Sequence, residues 1–263
     1  MKSIDYLPSS RGFDRYFGYY TGVMDYWAHY DDLSFGEKAL DLHLADGQPG
    51  LPAPVRNTTG RYSTTMFASK ATEWIGDHPR GRPMFLYLAF QSMHSANNKF
   101  LQAPPEYLER FDHLAASTCG QYQLSANCTP GAQRKSVAAI VSAMDDGVGD
   151  VVAALAAAKM TSNTLLIFSK GSRICPALFW VLRRAALCSG TDNGGPTNGS
   201  NANNANNWPL RGCKGGYFEG GVRGVGLIHG AGLERVGYWN AALFQVVDWC
   251  VASASTRLVT RLH

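Results

Sequence analysis

Asp192 and Asn193 stand side by side in a TDNGG run, and Lys214 follows within NNWPLRGCKGGYFEGGVRG. A carboxylate and a carboxamide are hard oxygen donors of the kind that Ca²⁺ or Mg²⁺ prefers. Gly194 and Gly195 let the backbone turn tightly behind that pair. A lysine ammonium is a compact point charge suited to an oxyanion. These types in this order predict a metal-assisted site for an anionic ester between Thr191 and Gly224. The plain alternative is a glycine-rich surface loop with no ligand, because Asp-Asn-Gly-Gly is also an ordinary turn.

A histidine stands far from that stretch. His94 lies in QSMHSAN, just past the apolar run PMFLYLAF at residues 83–90. Bounded by Pro83 and Gln91, this run reads as a strand buried on both faces, the parallel-sheet type. Ligands of open α/β sheets gather at the carboxyl ends of strands, which is where His94 falls. A lone histidine there is commonly structural, so residue type alone leaves its role open. Asp31 and Asp32 offer a second carboxylate pair, read as a solvated turn rather than as metal ligands.

Several elements must position these residues. The aromatic-dense stretch 7–30 predicts core packing or the edge of a cleft. From Ser63 to Asp77, Phe67, Ala71, Trp74 and Ile75 fall on one helical face. Ser63 or Thr64 could cap that helix, and Pro79 prevents its continuation. Pro104, Pro105 and Glu106 mark another helix start. Between Lys135 and Lys159, Val137, Ile140, Val141, Met144, Val148, Val151, Val152 and Leu155 form an apolar stripe. Asp145 and Asp146 sit beside it as a charged face, and Gly147 and Gly149 weaken the helix locally. TLLIFS at 164–169 and VGLIHG at 225–230 read as strands.

Composition bounds the function. The chain has 263 residues, of which 45% are hydrophobic, enough for a substantial core. Its net charge of +4 is too mild to argue for nucleic acid. No stretch is long and apolar enough to span a bilayer, and the N-terminus has no apolar region of the signal-peptide kind. The six cysteines do not follow zinc spacing; Cys119 and Cys128 could close a loop disulfide. Sequons at Asn57, Asn127 and Asn198 fit a secreted or lysosomal glycoprotein, or arise by chance.

The order TDNGG…NNWPLRG-x-K-x-x-x-x-EGGVRG resembles the sulfatases, most closely the arylsulfatase B type. LYLAFQSMH and MDDGVGDVVAAL are similar to further blocks of that family, and the segment from Leu7 to Gly18 is similar to the one that follows its GKWHLG motif. The resemblance implies an alkaline-phosphatase-like α/β/α sandwich with a mixed, mostly parallel sheet, here incomplete. It implies sulfuric ester hydrolysis with one Ca²⁺ and a formylglycine nucleophile. Carried over, Asp192 and Asn193 would be calcium ligands. Lys214 would bind sulfate and the bridging oxygen, and His94 would contact sulfate and help to protonate the leaving alcohol. The expected partner is a sulfated small molecule or glycan, in a lysosomal or secreted setting.

The departures from the family pattern are specific. The cysteine motif C-x-P-x-R, source of formylglycine, is absent; Cys128-Thr129-Pro130 mimics its start but carries Ala132 in place of arginine and lies after the histidine block. Ala96 stands where the family has proline. Residues 170–190 interrupt the family's continuity from strand to TDNGG, as a retained intron or a long loop. Residues 196–207 form a low-complexity loop expected to be mobile, and 250–263 form a divergent tail after a partial catalytic domain at 1–249. The chain as written is expected to be inactive, and a non-catalytic remnant that binds calcium or a sulfated glycan is the alternative.

Overall fold

The computed structural model describes residues 3–31, 38–47, 51–96, 101–114, 130–171, 176–182, 194–196, 207–231, 233 and 236–239. Short strands open the chain: β1 (Arg15–Gly18), β2 (Tyr30–Asp31), β3 (Ala39–Leu40), β4 (His43–Asp46) and β5 (Ala53–Pro54). β4 pairs antiparallel with both β1 and β5, and β2 pairs with β3. Helix α1 (Ser63–Asp77) leads to β6 (Phe85–Ala89), α2 (Pro105–Glu109) and the long α3 (Pro130–Ala157). β7 (Thr164–Gly171), β8 (Pro176–Leu182), α4 (Glu219–Val222) and β9 (Gly224–Gly230) complete the described elements.

The main sheet has the order β6-β8-β7-β9. The α/β class agrees with the sequence reading, but every described ladder in this sheet is antiparallel. β6 and β7 still run parallel to each other, because β8 lies reversed between them. The segment that departs from the family pattern thus supplies a strand of the sheet.

Helices α1 and α3 pack together on one face of the sheet. Phe67, Ala71 and Ile75 of α1 and Met144, Val151 and Leu155 of α3 enclose Leu86, Leu88 and Ile167 in a single cluster. Each large side chain buried there contributes roughly 1.5–3 kcal/mol. The helices meet at Gly147, where an added Cβ would lie 3.1 Å from the Ala68 Cβ. The glycine that weakens α3 by propensity therefore permits its close approach to α1. Val152, placed on the apolar stripe by spacing, is 41% exposed. It sits one residue from buried Val151, at the edge of the stripe where neighbouring elements no longer reach. Asp145 and Asp146 lie on the exposed face, with Asp146 accepting hydrogen bonds from the Tyr107 hydroxyl and Arg110.

Two other expectations change. β6 alternates exposed and buried residues, with Phe85 42% and Tyr87 44% exposed. The helices cover only the Leu86 and Leu88 face, so a continuous apolar run overstated the burial. At α1, the residue before the helix is Tyr62, which makes no side-chain cap. The Ser63 and Thr64 hydroxyls instead reach Gln91 Oε1 at 3.0 Å and Ser92 Oγ at 2.8 Å. Tertiary partners have taken the oxygens that local capping would have used. The helix does end before Pro79, with His78 in the extended region that a following proline favours.

Asp31 is also corrected: it is fully buried in β2 rather than solvated in a turn. Asp32, Cys119, Cys128, Asn127 and Asn198 lie outside the described residues. Asn57 is exposed, with φ +61°.

Candidate functional site

β6 ends at Ala89, and residues 91–94 turn back directly after it. The His94 amide donates to the Gln91 carbonyl at 2.9 Å and closes this turn. Its neighbours Gln91, Ser92, Met93, Ser95 and Ala96 are buried, while His94 remains partly open. A turn this deep must satisfy its polar groups internally. Gln91 does so through its amide: Nε2 donates to the Met24 carbonyl, and Oε1 accepts from Ser63. The Tyr26 hydroxyl contacts the carbonyls of both Gln91, at 3.0 Å, and His94, at 2.9 Å. The segment 24–30 and the start of α1 therefore anchor the histidine turn.

Lys214 is positioned by a different device. Gly194 donates its amide to the Gly221 carbonyl at 2.6 Å, and the Lys214 amide donates to the Gly195 carbonyl at 3.3 Å. The contact of Gly194 with Gly220 and Gly221 is backbone against backbone. A Cβ on Gly194 would overlap the Gly220 carbonyl oxygen and stand 2.6 Å from the Gly221 Cα. A Cβ on Gly220 would come within 2.7 Å of the Arg211 carbonyl oxygen, and one on Gly221 within 2.6 Å of that of Cys213. The motif glycines thus serve interlocking of two loops, beyond the tight turn that sequence suggested. Asn207 supports the lock by donating to the carbonyls of Gly195 and Gly212, each at 3.0 Å. It is only 4% exposed, although the sequence predicts it as the end of a mobile polar loop. The Arg211 side chain lies over the Phe218 ring at 3.9 Å, while its carbonyl accepts from the Gly220 amide at 2.7 Å within the lock.

These two structures bring His94 and Lys214 together. Lys214 Nζ stands 3.3 Å from His94 Nε2, across a sequence separation of 120 residues. His94 Nδ1 lies 2.7 Å from the Ser95 carbonyl. A carbonyl only accepts, so Nδ1 carries the hydrogen and Nε2 presents a lone pair to the ammonium. An imidazole in this tautomer can accept a proton at Nε2 and later give it up, while the ammonium offers fixed positive charge. Protonating Nε2 would set two cations face to face, an arrangement favoured only with an anion between them. The pair thus sets a cationic ammonium beside an imidazole that can carry a proton.

Asp192 and Asn193 lie outside the described residues, which resume at Gly194. Among the described residues, no group of three or more His, Cys, Asp or Glu could hold a metal ion. Calcium prefers about six to eight oxygen ligands, so the described donors do not compose its site. Also among the described residues, no helix is long and apolar enough to cross a membrane.

Sequence reasoning missed Tyr26, Gln91 and Asn207. Tyr26 was hidden among many aromatics, and Asn207 ends an asparagine-rich tract that masks it. Gln91 carried the one usable signal, a polar residue directly after an apolar strand.

Strand, histidine turn and glycine-locked lysine loop belong to an α/β protein in which a histidine and a lysine distant in sequence meet. The Sulfatase family model matches residues 2–170, and the chain belongs to the sulfatase family. It is 32% identical over 246 residues to mouse Arylsulfatase J, covering 93% of this chain and 33% of that protein. It is 29% identical over 117 residues to the arylsulfatase of Klebsiella aerogenes, covering 44% of this chain and 22% of that protein. The crystal structure of Ps i-CgsB in complex with k-i-k-neocarrahexaose superposes with a TM-score of 0.57 at 25% identity, covering 87% of this chain and 42% of the other. The chain thus spans about a third of the mouse relative's length.

Proposed function

We propose that His94 and Lys214 form the sulfate-binding part of a sulfuric ester hydrolase. The observation that supports this most is the 3.3 Å approach of Lys214 Nζ to His94 Nε2, in a chain of the sulfatase family. Lys214 donates to the sulfate oxygens and to the bridging oxygen, offsetting charge as the ester bond breaks. The arriving anion separates the two side chains and favours protonation of His94 Nε2. His94 then serves as general acid toward the leaving alcohol.

Asp192 and Asn193 are proposed as part of a Ca²⁺ site that further oxygen donors complete. The ion would supply Lewis-acid polarisation of the sulfuryl group. Formylglycine is the nucleophile proposed for the complete reaction, and this sequence holds no C-x-P-x-R motif to generate it. The 263-residue chain is therefore proposed to bind sulfate without turning over esters. Residues 170–190 are proposed as an insertion, because they separate the strand from the TDNGG run.

A non-catalytic remnant that holds calcium or a sulfated glycan is the second reading. The carbohydrate bound to Ps i-CgsB favours a sugar-borne ester for either reading. A lysosomal or secreted setting is proposed from the family resemblance and the sequons at Asn57, Asn127 and Asn198.

Titration of the purified chain with inorganic sulfate tests the pocket. Binding is expected in the wild type and is expected to fall by more than about tenfold in Lys214→Ala, the loss of a charge-assisted contact. Equal binding by the two proteins would refute the assignment. An aryl-sulfate hydrolysis assay tests inactivity, which clear turnover abolished by Lys214→Ala would contradict.

A further inference from the structure

Tyr26 is fully buried, and its hydroxyl is the group in segment 24–30 that reaches both ends of the histidine turn. We propose that Tyr26 is a positioning residue for His94, holding the peptide that orients its imidazole. The inference rests on the reading of His94 as a sulfate contact and adds the group that sets its geometry.

The physical argument starts from one hydrogen. The Tyr26 hydroxyl has a single proton and faces two carbonyls, those of Gln91 at 3.0 Å and His94 at 2.9 Å. Both oxygens only accept, so the proton is shared between them. The carbonyl of His94 belongs to the peptide that joins it to Ser95. His94 Nδ1 donates to the next carbonyl along, that of Ser95, at 2.7 Å. Rotation of the held peptide would therefore move the acceptor that sets the imidazole tautomer. With Nδ1–H released, the lone pair that faces Lys214 would no longer be assured.

Tyr26 is itself held on several sides. Its amide donates to Gln102 Oε1 at 3.0 Å, and its carbonyl accepts from the Ser63 amide at 2.9 Å. Its ring stacks on Tyr62, with centroids 5.3 Å apart. The Gln102 amide donates in turn to Asp25 Oδ2 at 3.2 Å. A group clamped in this way transmits little slack to what it holds. Core filling alone would be served by phenylalanine, so the hydroxyl is the part that calls for explanation.

Tyr62 supplies the internal control. It too is a buried tyrosine whose hydroxyl donates to a backbone carbonyl, that of Gln102 at 2.8 Å, a residue outside the histidine turn. Tyr26→Phe and Tyr62→Phe each delete one buried hydroxyl and should cost comparable stability.

Both variants and the wild-type chain are compared by inorganic-sulfate titration and by ¹⁵N NMR of the His94 ring, assigned through the signals lost in His94→Gln. Tyr26→Phe is expected to weaken sulfate binding about five- to tenfold, the effect of one buried hydrogen bond. It is also expected to move the ring signals from the Nδ1–H pattern toward a tautomer average. Tyr62→Phe should leave the ring pattern unchanged and affinity within about twofold. Matching behaviour of the two variants, or an unaltered ring pattern in Tyr26→Phe, would overturn the proposal. A wild type that binds no sulfate would end the functional reading, while the ring signals alone would still decide the role of Tyr26. If Tyr26→Phe fails to fold and Tyr62→Phe folds, the wild-type ring pattern decides, since a tautomer average there already contradicts a held imidazole.

Discussion

The two banks of the His94–Lys214 contact are built by opposite means. The histidine bank is a network of side chains: Tyr26, Ser63, Thr64 and Gln91 each place a polar atom on residues 91–94 or on the segment that supports them. The lysine bank is built from the near absence of side chains. Gly194, Gly220 and Gly221 bring backbone onto backbone where a Cβ would not fit, with Asn207 as the principal polar brace. The first bank depends on what its residues donate and accept, and the second on the space its residues leave empty. Hydrogen-bond losses are graded, because a deleted hydroxyl removes one interaction. Steric losses are abrupt, because packed backbone has nowhere to relax.

That contrast sets an order of sensitivity. Gly194→Ala should be the most damaging change, since its Cβ meets the Gly220 carbonyl rather than a movable side chain. A stability loss of about 3 kcal/mol or more, with sulfate binding abolished, is expected from denaturant unfolding and titration. A mild effect would show that the two glycine loops are not locked together.

Gln91→Ala should come next. It strips the partners from the Met24 carbonyl and the Ser63 hydroxyl in a site that is 2% exposed. The expected loss is about 2–3 kcal/mol, with the fold retained and sulfate affinity reduced but measurable. If this variant lost binding as completely as Gly194→Ala, the distinction between the banks would fail.

The smallest effect concerns pH and lies behind the histidine bank. His29 is fully buried, and its Nδ1 meets the Thr58 hydroxyl at 2.9 Å. Desolvation lowers its pKa below the usual 6.5, outweighing the carbonyl of Arg61 and the charge of Asp25, which raise it. The unfolded chain therefore binds the proton more readily than the folded one. The stability that His29 contributes in neutral form is complete above about pH 6.5 and is lost as pH falls toward its folded pKa. Thermal unfolding from pH 7.5 to 5 should show a slope that becomes shallower in His29→Gln. An unchanged slope would assign the acid sensitivity to other groups, of which His43 is one: burial lowers its pKa and nearby Asp41 opposes that shift.

How much of this was legible in sequence differs by level. α1 follows its apolar spacing closely, because Phe67, Ala71 and Ile75 bury one face of a helix that Pro79 stops. Strands at 164–169 and 225–230 appear where apolar runs placed them, inside β7 and β9. The use of Ser63 and Thr64 was not legible, because a hydroxyl suited to a cap is equally suited to a distant amide or hydroxyl. The position of β8 was not legible either. An apolar segment can be recognised locally, but insertion between β6 and β7 depends on which strand edges are available. The glycine motifs could be noticed but not understood, since an empty side chain carries no sign of what fills the space.

The linear chain alone determined the α/β character, the main helices and the sulfatase resemblance, since these follow from periodicity and from ordered short motifs. Tertiary structure alone decided that His94 meets Lys214, that Tyr26 and Gln91 anchor the histidine turn, and that the paired glycines interlock. Such facts depend on contacts between residues distant in sequence. One of them spans 120 positions, a distance over which local propensity has no reach.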